Sequence, residues 1–365
     1  MRYLDESLFD DELIDLGEAV AAAVAPPINP LPCDRYVARS CLQKAIRRAE
    51  PGLAQRALAN LFLHDRRSAW RALTIIALED VGVANTDLLA QIVAAQKDRL
   101  WRAQTGGDWL VLAEIARQMA ESLHCQSACD LLLRVANDPA LEHARATALD
   151  SPPCELAAQL WNCREAILKR GLAALAMGGA LAEGQRYSDP CGVFDILSET
   201  SRSPHTVAAC RAAWKISRNP MAMLLPVVWE FWSPACYQVV DDELSTVHMF
   251  GDIPGYALDQ FTRIGNTISR ALLREDGKLK KTLNDAGVPT SQQPRAVGDL
   301  LFIIEGGLLA KRAVWAVGNQ FREPVRPLPA VDKLGERLHD AVTHLTSKAC
   351  QIALLRQQYF QPTRP

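Results

Sequence analysis

Apolar residues return at three- and four-residue intervals through most of this chain, the spacing of helices with one buried face. Leu13, Leu16, Val20 and Val24 predict a first helix over Asp11–Ala25, stopped by Pro26-Pro27, and Pro26 to Pro32 reads as a linker. Tyr36–Ala49 follows, with Val37, Cys41, Leu42, Ala45 and Ile46 on its apolar side and Arg35, Arg39, Lys44, Arg47 and Arg48 on its polar face. Leu53–Leu63 and Arg66–Glu79 come next, and Asp80-Val81-Gly82 supplies a glycine stop. Further helices are predicted from Asp87 to about Arg102, over Asp108–Ser122 after the Gly106-Gly107 break, and over Ser127–Ala136.

Beyond Pro139 the pattern changes. Ser151-Pro152-Pro153 is a helix start, and Cys154–Leu181 reads as one long Ala/Leu-rich helix. Glu183–Ser203 is a predicted loop and His205–Ile216 a short helix. Met221–Val240 is long enough to span a membrane, but Glu230 lies within it and Pro226 and Pro234 interrupt it, so a buried helix pair is expected. A turn at Gly251–Gly255 precedes a helix over Tyr256–Leu273, and Pro289–Pro294 is a loop. Val297–Ala316 is expected as an apolar helix, Phe321–Pro329 as a Pro-rich connector, and Val331–Phe360 as a single terminal helix. Strand signals are nearly absent and no clean repeat emerges. The expected class is therefore all-α: an acidic N-terminal helix and linker (1–30), a collar-like helical domain (31–140), and a larger helical domain (150–365).

Composition agrees with a folded helical chain. Of 365 residues 49% are hydrophobic, too many for disorder, and 22% are charged, too many for a polytopic membrane protein. The net charge of −2 hides segments of opposite sign. Residues 1–30 carry −6, 31–104 carry +5, 105–254 carry −7 and 255–365 carry +6. The two basic blocks could meet phosphate or an acidic partner, although neither is as dense as a dedicated nucleic-acid binder's patch. The acidic N-terminus is a candidate tail or a candidate intramolecular cover for a basic face.

Ten cysteines are scattered with no CxxC pair, and His124-Cys125 with Cys129 is the nearest approach to a zinc site. Buried thiols in a reducing cytoplasm are the expected state. No signal peptide opens the chain, since acids occupy its first residues. A cytoplasmic protein with no membrane partner is expected.

Enzyme templates are missing. There is no GxxxxGK[ST], GxSxG, HExxH or dinucleotide fingerprint. Asp241, Asp242 and Glu243, with His248 and Asp252, are the best candidate metal or acid–base cluster, because carboxylates in a tight run suit a divalent cation. No cofactor is otherwise predicted. The second basic stretch sets Arg263, Arg270, Arg274 and Lys278 much on one side of their helices, a candidate phosphate-facing stripe, and Asp259 and Arg263 have the spacing of an i,i+4 ion pair. Arg39, Lys44, Arg47 and Arg48 form the matching candidate face in the first block.

Residues Arg35 to Asp138 carry a family resemblance. Ser40-Cys41-Leu42-Gln43-Lys44-Ala45-Ile46-Arg47 is followed by Arg71, Ile75, Ile76, Ala77, Glu79, Asp80, Val81, Gly82, Ala84 and Asn85, and then by Asp108–Ala116 and Gln126–Leu132. In this order they resemble the C-terminal region of the RarA/MgsA (WRNIP-type) replication-associated AAA+ ATPases and, more remotely, bacterial clamp-loader collars. The resemblance covers about a hundred residues, with EDVGVAN its most specific part. It implies an oligomerising helical collar and a link to DNA replication or repair assemblies, with Arg71, Glu79, Asp80 and Gly82 as the family's motif residues. The ATPase core that precedes this region in the family has no counterpart in the 34 residues upstream, so no ATP hydrolysis is expected. Glu79 and Asp80 at a helix end oppose the dipole, which calls for an offsetting partner such as Arg35, Arg39 or Arg71, a following helix start, or else solvation.

The favoured expectation is a non-enzymatic, oligomeric replication- or recombination-associated factor that contacts DNA or a DNA-bound complex, with a separate AAA+ ATPase or replication protein as a possible partner. Self-association is expected because Trp70, Leu73, Ile76, Leu88, Ile92, Trp101, Trp109 and Leu112 look like more apolar surface than one small helical layer hides. The alternatives are a metal-dependent enzyme using the 241–252 cluster and a protein-interaction or inhibitor module.

Overall fold

The computed structural model describes residues 6–181, 189–325 and 331–360. Helix of all kinds makes up 72% and strand 4% of the structure, so the protein is all-α. The described chain divides into two compact units, each built from separate stretches. One takes in residues up to Ala25, Trp70–Val240 and Lys311–Val325; the other takes in Pro26–Ala69, Asp241–Ala310 and the segment after Arg326. Residues 31–140, read from sequence as one domain, contribute to both. The division also sorts charge: the first unit has 19 Lys/Arg against 26 Asp/Glu, net −7, and the second 21 against 16, net +5. The two basic sequence blocks lie mostly in the second, hereafter the basic unit.

In the acidic unit the helix Asp10–Ala22 buries Leu16 and Val20 and packs on Thr86–Lys97 and Asp108–Glu121. Asn85 starts Thr86–Lys97 by accepting the Leu88 N–H, satisfying one of the orphan donors of a helix start. Pro204–Ser217 packs beside that helix, and Ile167–Met177 and Met221–Trp229 pack together. Trp70, Leu73, Ile76, Leu88, Ile92 and Leu112 are all buried within this one copy. Trp101 and Trp109, the other two of the eight residues expected to drive self-association, are half-buried.

Several long helices predicted from sequence are shorter. Cys154–Leu181 is two helices, Pro153–Trp161 and Ile167–Met177, because the Asn162 side chain accepts the Arg164 N–H and turns the chain. The loop expected over Glu183–Ser203 contains a helix, Pro190–Thr200, started by Asp189 accepting the Gly192 N–H and held by buried Val193, Phe194 and Leu197; residues 183–188 of that loop lie outside the described residues. The apolar block at 221–240 is not a helix pair. It is one helix, Met221–Trp229, followed by a short turn and a strand, Tyr237–Val240. That strand pairs antiparallel with Arg312–Trp315, matching Tyr237 to Trp315 and Val240 to Arg312, where the end of a helix was expected. Among the described residues no helix is long and apolar enough to cross a membrane.

In the basic unit Asp34 accepts the N–H groups of Tyr36 and Val37 and so starts Arg35–Arg47, which packs on Pro51–His64. The helix expected from Tyr256 begins only at Arg263, because Thr262 accepts the Gly265 N–H as its cap. It packs on Gln293–Leu301 and Ala349–Tyr359. Gly277–Asp285 follows, started by Asp276. The expected terminal helix is two, Arg337–Thr346 and Ala349–Tyr359, with Ser347 bonding back to the His344 carbonyl at the break. Phe321–Val325, read as connector, ends the helix Ala316–Val325, and residues 326–329 lie outside the described residues.

Candidate nucleic-acid interface

The helix Arg35–Arg47 and the residue after it carry three basic side chains expected to face solvent, and the structure corrects that. Lys44, Arg47 and Arg48 are buried. An amphipathic pattern shows which face is apolar, but a long cationic side chain can lie against neighbours that arrive from distant sequence. Lys44 Nζ lies 2.6 Å from Asp259 Oδ2 and donates to Ser40 Oγ at 2.6 Å, while Ser40 Oγ donates to Asp259 Oδ1 at 3.2 Å. Burial pulls the Lys44 ammonium below its ordinary value, against the opposing pull of Asp259. Arg47 donates to the Gly306 carbonyl at 3.0 Å and lies over the Phe302 ring. Arg48 donates to the Ser245 carbonyl at 2.8 Å and lies over Tyr256, whose hydroxyl bonds Glu50. These cations hold the basic unit together and are closed to a ligand arriving from solvent. Of the first candidate set, Arg39 alone is exposed.

Asp259 is likewise reassigned. It does not pair with Arg263, four residues on, but turns inward to Lys44, with the Phe261 N–H on its Oδ1 at 3.2 Å. Its backbone approaches the next helix closely, since a Cβ on Gly265 would lie 1.8 Å from the Asp259 carbonyl oxygen. Sequence reasoning missed this buried group, and the usable signal was weak: an acid two residues before an exposed aromatic and three before a helix cap.

The second candidate set has the opposite outcome. Arg263, Arg270, Arg274 and Lys278 are all exposed, as are Lys280 and Lys281. Among the described residues none of the six has a carboxylate partner; Arg274 has only a 3.4 Å approach to the Tyr359 hydroxyl. Positions 263, 270 and 274 are seven and four residues apart, which at 3.6 residues per turn puts all three on one face of Arg263–Glu275. Asp276 then starts the helix that carries the lysines.

The acidic cluster is dispersed. Asp242 accepts the Leu309 N–H at 2.9 Å while its own N–H donates to the Leu309 carbonyl. Asp252 pairs with Arg56 at 2.7 Å, Asp241 and Glu243 are exposed, and the His248 carbonyl accepts the Gly255 N–H. Among the described residues no three His, Cys, Asp or Glu side chains are gathered so as to hold a metal ion, at this cluster or at His124, Cys125 and Cys129.

Arg71, Glu79, Asp80 and Gly82, named above for the sequence resemblance, lie in the acidic unit. Ala77–Val81 forms a single wide turn at the end of Arg66–Ile76, and Asp80 is completely buried, accepting from the Gln126 amide at 2.8 Å. That amide is one partner of the buried carboxylate, which is closed to solvent. Glu79 is half-buried, and Arg71 is exposed and donates to the Ser217 carbonyl. Gly82 has φ +56°, and a Cβ there would meet the Cys125 carbonyl oxygen at 2.0 Å, so the glycine serves close approach as well as helix termination.

No family model, no curated protein and no solved structure matches this chain.

Proposed function

We propose that this protein is a non-enzymatic helical factor that contacts DNA, or a DNA-bound complex, through the exposed cations of its basic unit. One observation carries the reading: Arg263, Arg270, Arg274 and Lys278 are solvent-facing and lack carboxylate partners among the described residues, in a chain whose other basic side chains are often paired. A stripe of uncompensated charge along one helix face and its successor suits a phosphate backbone. The sequence resemblance of residues 35–138 to the RarA/MgsA C-terminal region supplies replication or recombination as the setting.

Filter binding across a salt series tests the reading. The parent is expected to bind duplex DNA with an affinity that falls as salt rises. Arg270→Ala/Arg274→Ala should weaken binding and flatten the log–log salt slope by about 0.9 for each phosphate that is no longer neutralised. Sequence preference should stay the same, since interactions with the backbone position the protein without reading bases. A double variant that binds as the parent does overturns the proposal. Arg47→Ala/Arg48→Ala is the wrong probe, because those buried side chains support the fold.

A further inference from the structure

Phe261 is the most exposed large aromatic side chain among the described residues, with 65% of its surface open, and it immediately precedes the cap of the basic helix. Phe194 and Phe321 are almost wholly enclosed, and Phe231, the other exposed phenylalanine, shows only 36% of its surface. Leaving a ring in water forfeits the stabilisation that its burial would bring. The ring is nonetheless held in place. It meets Phe302 edge-on with centroids 5.8 Å apart, the Lys44 ammonium lies 5.9 Å from its centre, and its own N–H is fixed on Asp259. The residue two positions on is Arg263, the first of three arginines that share a face over about 16 Å of helix.

An open, positioned aromatic ring at the head of an uncompensated basic stripe is the combination that binds unpaired nucleotides: cations follow the phosphates and the ring receives a base. In a duplex each base is already stacked between its neighbours and offers no free face. We propose that Phe261 is a stacking platform for an unpaired base, and that the nucleic acid followed by Arg263, Arg270 and Arg274 is single-stranded. This inference rests on the nucleic-acid reading given above and adds the class of ligand to it.

The test is fluorescence anisotropy on the full chain, using a short labelled oligothymidylate and a duplex of equal length. The parent should prefer the single strand. Phe261→Ala should weaken single-strand binding about tenfold, the scale of removing one stack, with salt slope and duplex binding unchanged. Phe261→Tyr should keep the affinity and Phe261→Leu should not, because stacking needs a flat ring. The inference is overturned if Phe261→Ala binds the oligothymidylate as the parent does, if leucine serves as well as tyrosine, or if the parent ignores single strands. Arg270→Ala/Arg274→Ala separates the two proposals. If that variant loses binding while Phe261→Ala is silent, only the stacking role fails. If it too binds normally, the nucleic-acid reading fails with it.

Discussion

The guanidinium of Arg170 engages the carboxylate of Glu230 with both terminal nitrogens, although no part of Arg170 is exposed and Glu230 is nearly enclosed. Glu230 is the lone acid in the apolar stretch 221–240, so its charge is tolerated there only because this arginine, which also donates to the Leu160 carbonyl, meets it. Taking both charges out of water is costly, and leaving one behind costs more. Glu230→Ala should lower unfolding stability by about 3–5 kcal/mol, whereas Arg170→Met/Glu230→Leu should recover most of that stability. Urea denaturation followed by circular dichroism measures both. A Glu230→Ala protein within about 0.5 kcal/mol of the parent would show that the pair contributes nothing.

Gly82 and Gly52 should respond to alanine in opposite directions. At Gly82 the positive φ and the 2.0 Å approach to the Cys125 carbonyl leave no room, so Gly82→Ala should cost well over about 1 kcal/mol. Gly52 sits in the helix Pro51–His64 with nothing within 4 Å of an added Cβ, so Gly52→Ala should stabilise by about 0.5–1 kcal/mol. Thermal melts of the two variants check the contrast, and a Gly82→Ala protein that melts with the parent refutes it.

Acid should unfasten Asp276. Burial alone would raise its carboxyl, but the Leu279 N–H and the His344 ring bonded to it hold it below the ordinary value of 3.8. A depressed carboxylate stabilises the native state fully above that ordinary value and loses its contribution as pH falls through the native one. Asp276→Asn keeps a good helix cap and removes the charge. The variant should be about 1 kcal/mol less stable near pH 5, with the gap closing toward pH 2. Stability measured across that range decides, and a gap independent of pH would mean the charge plays no part.

What the sequence revealed here follows physical range. The helices starting at Arg35, Pro51 and Thr86 were legible because their apolar periodicity is local, as are the caps of the first and third and the leading proline of the second. The breaks at Asn162 and Ser347 were not, since a short polar side chain bonding its own backbone barely disturbs periodicity. Least legible was the inward turn of Lys44, Arg47 and Arg48. Their partners Asp259, Gly306 and Ser245 lie about 200 residues or more downstream, beyond what a helix pattern can register. The stripe at Arg263–Lys278 was readable because its four cations stay exposed, so the polar face that the pattern assigns there is also the solvent face.

Because each unit is assembled from separated stretches, a ribosome that has made the first 140 residues has delivered neither of them. The strand Tyr237–Val240 waits for Arg312–Trp315, and Glu305 waits for Arg356, near the end of the described chain, to close on it. Apolar faces in both units therefore stay open through most of synthesis, the interval in which chaperones meet a nascent chain. A fragment ended at any point before residue 311 is an unfinished protein twice over.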